Sequence, residues 1–476
     1  MLSAAPRLAL IDTRLHERAV TLRLPFRFGV VTLRQAPQVF VRARVRLQDG
    51  REGEGISAEL LVPKWFDKSP QFSNEDNFNQ LRRSLAIARR HLIAAGSHTA
   101  FGLSAVADAP HRAQCAHAGL NGLVASFGLA LIERAIIDAL ARIEDVAAFA
   151  LVRANRLGLS AALTPDLDGF DLDKFLAARE PTPSINVRHT VGLLDPLTRA
   201  DTEGRRLDDG LPESLQEVIA TYGNRYFKLK VGGDADADIE RLARIAAVLD
   251  NIAGPYAVTL DGNEQYDNID AVIGLWRRIA EDRRLARLKA SLLLIEQPIT
   301  RARALSAPVH ALAREIPLEV DESDADFGVF PQARALGYRG ISAKSCKGFY
   351  RALLNCARVA KCNAEEGGGY FMSAEDLTTQ AGVAVQQDLA LAALIGATHV
   401  ERNGHHYVDG MAGAPQAEQD AFLRAHGDLY RPGKDGRARL HIEGGAVSLR
   451  SIASAKGLAV AVMPDWDAMR ESPTVE

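Results

Sequence analysis

The sequence predicts a parallel α/β barrel that follows a separate α+β domain, and three observations predict it. From about residue 185, eight short apolar runs alternate with helix-patterned stretches, the order in which parallel strands and their crossover helices are laid down. The first 165 residues instead carry hairpin-like alternation and then long helical patterns. Finally, five successive barrel strands end in lysines and carboxylates, and such ends converge on one mouth only when the sheet closes.

In the first domain, Pro25–Leu33 and Val39–Leu47 alternate as strands about a turn expected at Gln35-Ala36-Pro37, and Asp49-Gly50 supplies the next turn. Helices are expected over 77–95 and 122–142. In the second of these, Leu129, Ile132, Ile136, Ile137 and Leu140 make one apolar face suited to packing on the sheet. The barrel strands are read at Val187–Leu193, Tyr226–Val231, Ala257–Leu260, Leu292–Ile295, Leu318–Val320, Gly340–Ala343, Tyr370–Met372 and, most weakly, His399–Glu401. Asp236–Asp250 and Leu377–Ile395 are the clearest intervening helices; Asp234, Asp236 and Asp238 read as acids favoured at a helix start, because a calcium loop would need glycine where Ile239 stands. Two late runs, Ala438–Ile442 and Gly457–Val462, suggest strands that rejoin the first domain. The expected division is residues 1–165, a barrel over 185–420, and a tail over 421–476 that completes the first domain.

Composition narrows the partners. Among 476 residues 25% are charged, the net charge is −3, and basic and acidic residues are interspersed, so no nucleic-acid-binding field is implied. No apolar run reaches the ~18 residues of a membrane span, and the N-terminal stretch lacks the apolar core of a secretory signal. The four cysteines, Cys115, Cys346, Cys356 and Cys362, show no paired-ligand spacing and read as reduced thiols of a cytoplasmic protein. No G-x-G-x-x-G follows a strand, which argues against a nicotinamide enzyme. A small-molecule partner is expected.

The chemistry is carried by the strand ends YFKLK, AVTLDGN, LLLIEQP, LEVDES and GISAKSCK. They supply Lys228 and Lys230, then Asp261, Glu296 and Asp321, then Lys344. Strand alternation puts Lys228 and Lys230 on one face and, counted three residues on from Lys344, Lys347 on the opposite one. Taken singly, each acid could be a helix cap; as an ordered set they suit a divalent cation and a proton transfer. Glu322, next to Asp321, is an alternative ligand.

In this order the motifs resemble those of the enolase superfamily, whose members join an α+β capping domain to a modified TIM-type (β/α) barrel. The K-x-K pair at the second strand matches Lys228-Leu229-Lys230, and the three metal carboxylates of strands three to five match Asp261, Glu296 and Asp321. A lysine on strand six matches Lys344 and points to the muconate-cycloisomerase and dipeptide-epimerase branch. The mandelate-racemase branch uses a histidine from strand seven, which 370–373 lacks. The resemblance implies one Mg2+, or Mn2+, bound by the three acids, with Lys230 and Lys344 as bases on opposite faces of a carbon next to a carboxylate and Lys228 in support. An amine with a free pKa near 10.4 must be pushed towards its neutral form for that role. Two opposed bases permit racemisation, epimerisation or, with one acting as acid, cycloisomerisation. A dehydratase or ammonia lyase is the alternative enzyme, and a non-catalytic metabolite-binding barrel the alternative of another class. A homo-oligomer is implied by the resemblance alone.

Candidate contacts to the rest of the substrate are Asn263 after strand three, Ser373, Glu375 and Asp376 after strand seven, and His405 after strand eight, although an exposed turn is the favoured reading of His405 and His406. Phe26, Arg27, Phe28 and the aromatic loop Pro63-Lys64-Trp65-Phe66-Asp67 are lid candidates, with Trp65 as plain packing an even alternative. The enlarged segment 63–96 would shape a larger pocket or a subunit contact.

Overall fold

A computed structural model describes residues 5–28 and 31–475. The chain opens with three antiparallel strands, β1 (Leu8–Phe28), β2 (Val31–Leu47) and β3 (Glu52–Leu60). Three helices cover this sheet, α1 (Asn74–Ala94), α2 (Ala100–His117) and α3 (Gly122–Ile143). Each has a side-chain cap, from Ser73, Thr99 and Asn121, on its first free N–H groups. The packing is closest where α3 crosses β3: a Cβ on Gly55 would stand 2.2 Å from Ala135 O and Ala139 N, so only glycine fits.

The turn expected at 35–37 is instead the middle of β2, where Ala36 pairs with Val20 and Pro37 with Ala19. The two strands stay paired as far as Phe28 with Val31, and residues 29–30 lie outside the described residues. Proline is tolerated because Pro37 O accepts from Leu61 N at 2.9 Å, just past the last β3 pair, Gln38 with Leu60. A strand residue's N–H and C=O point to one side, so the missing donor lies where β3 ends. The Asp49-Gly50 turn joins β2 to β3 as expected, with Gly50 N on Leu47 O at 3.0 Å.

The eight strands read from the sequence all form: β4 (Ser184–Val191), β5 (Tyr226–Lys230), β6 (Ala257–Asp261), β7 (Leu292–Glu296), β8 (Leu318–Val320), β9 (Gly340–Ala343), β10 (Phe371–Ala374) and β11 (His399–Arg402). They are parallel and hydrogen-bonded in the order β10-β9-β8-β7-β6-β5-β4-β11. The end strands β10 and β11 lie against each other, so the sheet curls into a barrel beneath a capping domain. Asp234 caps the helix Ala235–Leu249, as its acidic start implies. The helix expected from Leu377 begins only at Val383. Before it, Thr378 and Gly382 take positive φ and Asp376 captures Thr379 N at 2.8 Å, a local bond that competes with the helix.

The tail forms a hairpin, β12 (Tyr430–Pro432) with β13 (Ala438–Leu440). It then adds β14 (Ala446–Ser448) antiparallel to the start of β4 and β15 (Arg470–Glu471) to β1. The run 457–462 is not a strand. Gly457 makes one bridge to Ala147, and side chains of the capping domain take the backbone beyond it, Asp138 from Leu458 N at 2.6 Å and Arg142 to Val460 O at 2.7 Å. Among the described residues no helix is long and apolar enough to cross a membrane.

Candidate active site

Register brings the charged strand ends together. Lys230 pairs with Asp261 across β5 and β6, and Asp261 with Glu296 across β6 and β7. Asp321 follows β8 directly and Lys344 follows β9. The order around the barrel is therefore Lys230, Asp261, Glu296, Asp321, Lys344, an arc of three acids with an amine at either end. All five are buried.

Lys230 Nζ lies 2.5 Å from Asp261 Oδ2. Lys344 Nζ pairs with Asp321 Oδ2, and Ser342 Oγ donates to the other oxygen at 2.5 Å. Burial would lower the Lys344 pKa, but the Asp321 carboxylate overrides it and holds the amine protonated. Lys228 sits inside the barrel with its Nζ between 2.7 and 3.0 Å from carboxylate oxygens of Asp261, Glu296, Glu375 and Glu401. These acids together keep it charged against full burial.

Lys347 departs from the expected opposite face. The strand stops at Ala343, and a turn closed by Lys347 N on Lys344 O at 2.9 Å folds the side chain back. Its Nζ reaches Ser342 O at 2.7 Å and Asp321 Oδ1 at 3.2 Å, so it clamps the same carboxylate as Lys344 from behind.

The other candidates divide. Asn263 stands at the mouth, with its backbone N–H on Asp261 Oδ1 at 2.8 Å and its amide on Glu322 Oε1 at 3.1 Å. Asn263, Glu264 and Gln297 all have positive φ, backbone strain concentrated just past these strand ends. Glu375 is committed inside the barrel to Arg188 and Lys228, and Ser373 Oγ donates to Glu319 Oε1 at 3.0 Å. Asp376 ties two loops together, accepting from Thr379 Oγ1 at 2.5 Å and from Asn403 N at 2.8 Å. His405 lies behind the barrel wall against His189 and Tyr222, with ring centroids 5.4 and 5.5 Å apart. His406 is 2% exposed, so the expected surface turn is instead a buried aromatic cluster.

Several residues at the site escaped the sequence reading. Glu319 precedes Asp321 by two and shares its face, and Arg188, Thr190 and Glu401 likewise point inward from β4 and β11. A charge inside an apolar strand was the available signal. Oxygens of Glu296, Glu319 and Glu375 lie within 4.8 Å of one another, a deeper cluster that shares Glu296 with the mouth. Burial pushes the Glu319 carboxyl up to about 8 and the Glu296 carboxyl well above its usual range, so protons and Lys228 offset the charge there.

A loop of the capping domain covers the mouth. Arg301 donates to Trp65 O at 2.8 Å and Phe66 O at 2.9 Å while pairing with Glu264 at 2.7 Å. The Trp65 ring, 4% exposed, lies 4.6 Å from Lys344 Nζ. Phe26, from the β1–β2 hairpin, stacks on Tyr407 with ring centroids 4.1 Å apart.

The donor set fits a hard divalent cation. Asp261, Glu296 and Asp321 are oxygen ligands on three adjacent strand ends, and near them the buried Asn263 Oδ1 and Glu322 Oε2 lack any hydrogen-bond partner.

Residues 210–436 match the family model described as enolase C-terminal domain-like. No curated protein matches the sequence. An enolase from Streptomyces coelicolor superposes with a TM-score of 0.58 at 17% identity, covering 97% of this chain and 95% of that one. A dipeptide epimerase from Enterococcus faecalis, complexed with Mg and the dipeptide L-Leu-L-Tyr, gives 0.56 at 13% identity over 92% of this chain and 99% of that one. For 2-chloromuconate cycloisomerase from Rhodococcus opacus the TM-score is 0.55 at 17% identity, over 98% and 97%. Residues 210–436 are thus similar to an enolase C-terminal domain, and the barrel with its capping sheet shares the fold of these structures.

Proposed function

We propose that the protein is a metal-dependent enzyme that removes the proton alpha to a substrate carboxylate, acting as a racemase, epimerase or cycloisomerase. The observation that carries this reading is the arc in which Lys230 and Lys344 bracket Asp261, Glu296 and Asp321. Amines at both ends of the acids reach a bound carbon from opposite faces, so one can remove a proton and the other return it. Asp261, Glu296 and Asp321 would hold one magnesium or manganese ion, which when bound stabilises the negative charge that develops on the substrate carboxylate. Lys228 holds Asp261 and Glu296 in place, and Lys347 and Ser342 fix the outer oxygen of Asp321. Trp65 and Arg301 close the mouth and keep water from the reacting carbon. The epimerase and cycloisomerase among the similar structures support the lysine-based branch.

The test is magnesium-dependent exchange of alpha protons in deuterium oxide, read by mass over a library of small carboxylic acids. Exchange is expected for one class of acids and is lost in Lys230→Ala or Lys344→Ala. Full exchange in both variants would overturn the base assignment.

A further inference from the structure

The helix Phe349–Glu366 starts shortly after Lys344, and it has no cap of its own. The residue before it, Gly348, takes a φ of 141°, where any other residue is strained, and it offers no side chain to the free N–H groups of the first turn. The other domain supplies the acceptor. Glu133 of α3 reaches across, and its Oε1 accepts from Phe349 N at 2.5 Å and Tyr350 N at 3.4 Å, a helix cap from a residue 216 positions away in the chain.

Burying a carboxyl here is unfavourable. Glu133 is 5% exposed and forms no ion pair among the described residues, its second oxygen has only Ser104 Oγ at 3.5 Å, and burial pushes it up to about 7. An apolar side chain would avoid that cost, so what the carboxyl contributes is its hold on the two N–H groups. Only Lys344 to Gly348 separate the end of β9 from this helix, and the place where the helix starts therefore bears on where the Lys344 amine lies. From the barrel the short segment is held by Ser345 Oγ on Asp388 at 2.7 Å and by Lys347 Nζ on Ser342 O at 2.7 Å. Glu133 is its hold from the capping domain. The loop after Asp321 has separate ties to that domain, with Arg112 Nη1 and Ser126 Oγ each 2.8 Å from Ala325 O.

We propose that Glu133 is a positioning residue, through which the capping domain sets the Lys344 amine on its face of the reacting carbon by holding the first turn of the following helix. The proposal rests on the reading of Lys230 and Lys344 as opposed bases. Each base then serves one enantiomer of the substrate. A displaced Lys344 slows one enantiomer only, whereas a general loosening of the fold slows both.

The experiment follows deuterium uptake at the alpha carbon of each enantiomer of small chiral carboxylic acids separately, using the full chain with magnesium in deuterium oxide. Lys230→Ala and Lys344→Ala assign the enantiomer that each base serves. Glu133→Ala removes the acceptor and should lower kcat about ten- to a hundredfold for the enantiomer that depends on Lys344, the range for a base misplaced by about an ångström, with KM and the other enantiomer changed by less than about twofold. Glu133→Gln keeps an acceptor oxygen in place and should exchange both enantiomers as the wild type does. Glu133→Asp, one methylene shorter, should show the same one-sided loss to a smaller degree, which keeps the proposal testable if Glu133→Ala does not fold. Magnesium affinity, read by calorimetry, should be unchanged in all three variants, because the loop after Asp321 keeps its own ties. Equal losses for both enantiomers, a loss confined to KM, weakened magnesium binding alongside the lost exchange, or full exchange in both Glu133→Ala and Glu133→Asp would overturn the assignment. If Lys230→Ala and Lys344→Ala do not separate the enantiomers, or no acid exchanges with magnesium bound, the two-base reading itself falls and the role of Glu133 with it.

Discussion

Lys228→Met replaces a fully buried ammonium with an apolar group on a stem of similar length. Four carboxylates lose a partner at 2.7–3.0 Å, but three of them keep another. Asp261 retains Lys230, Glu375 retains Arg188, and Glu401 retains Thr190 Oγ1 at 2.6 Å and Asp376 N at 3.0 Å. Glu296 keeps no other ion pair among the described residues, and only the longer-range attraction of Arg188 and Lys344 remains on it. The cost is then that of one stranded buried charge, about 3–5 kcal/mol, and not four times that. Burial, Asp261 and Glu375 already push the Glu296 carboxyl upward, and losing Lys228 pushes it further. A carboxyl raised in the folded state stabilises most below its unfolded pKa, and that contribution is lost as pH rises through the folded value. The variant should therefore unfold in urea with about 3–5 kcal/mol less stability at pH 8, chelator present, and with a smaller deficit at pH 5. A loss under about 1 kcal/mol at pH 8, or one independent of pH, would refute the reasoning.

Three further outcomes are expected. Arg301→Ala removes the bonds to Trp65 O and Phe66 O, so the loop should loosen, with KM rising about tenfold and tryptophan emission shifting to the red; unchanged emission would count against a covering role. Burial pushes Glu133 to about 7 from 4.5, although it accepts from Phe349 N at 2.5 Å; in urea titrations the wild type should lose about 3 kcal/mol between pH 4.5 and pH 8 that Glu133→Gln does not. Gly55→Ala would drive a methyl into the backbone of α3 and should cost about 1–3 kcal/mol or more, seen as a lowered Tm.

The eight barrel strands were legible because each is a short apolar run between helix signals, and the ligand arc because each acid or lysine closes one of those runs. Lys347 was misplaced because alternation holds only while the strand lasts, and this one stops four residues earlier at Ala343. The β1–β2 reversal was misread for a related reason. Proline and polar residues at 35–37 look like a turn, but the ladder absorbs Pro37 where β3 ends.

By itself the sequence determined the order of elements and which chemical groups end each barrel strand, since apolar periodicity and residue type are local properties. Only the tertiary structure decided which groups face one another. Glu375 and Asp376 are neighbours in the chain, yet one is spent on Arg188 and Lys228 inside the barrel and the other on the loop after β11. His405 lies behind the wall, while Lys68, from a loop nearly two hundred residues away, reaches the Asn263 carbonyl (|i−j| = 195). Burial, charge pairing and the unpartnered oxygens of Glu322 and Asn263 exist only once strands distant in sequence are side by side.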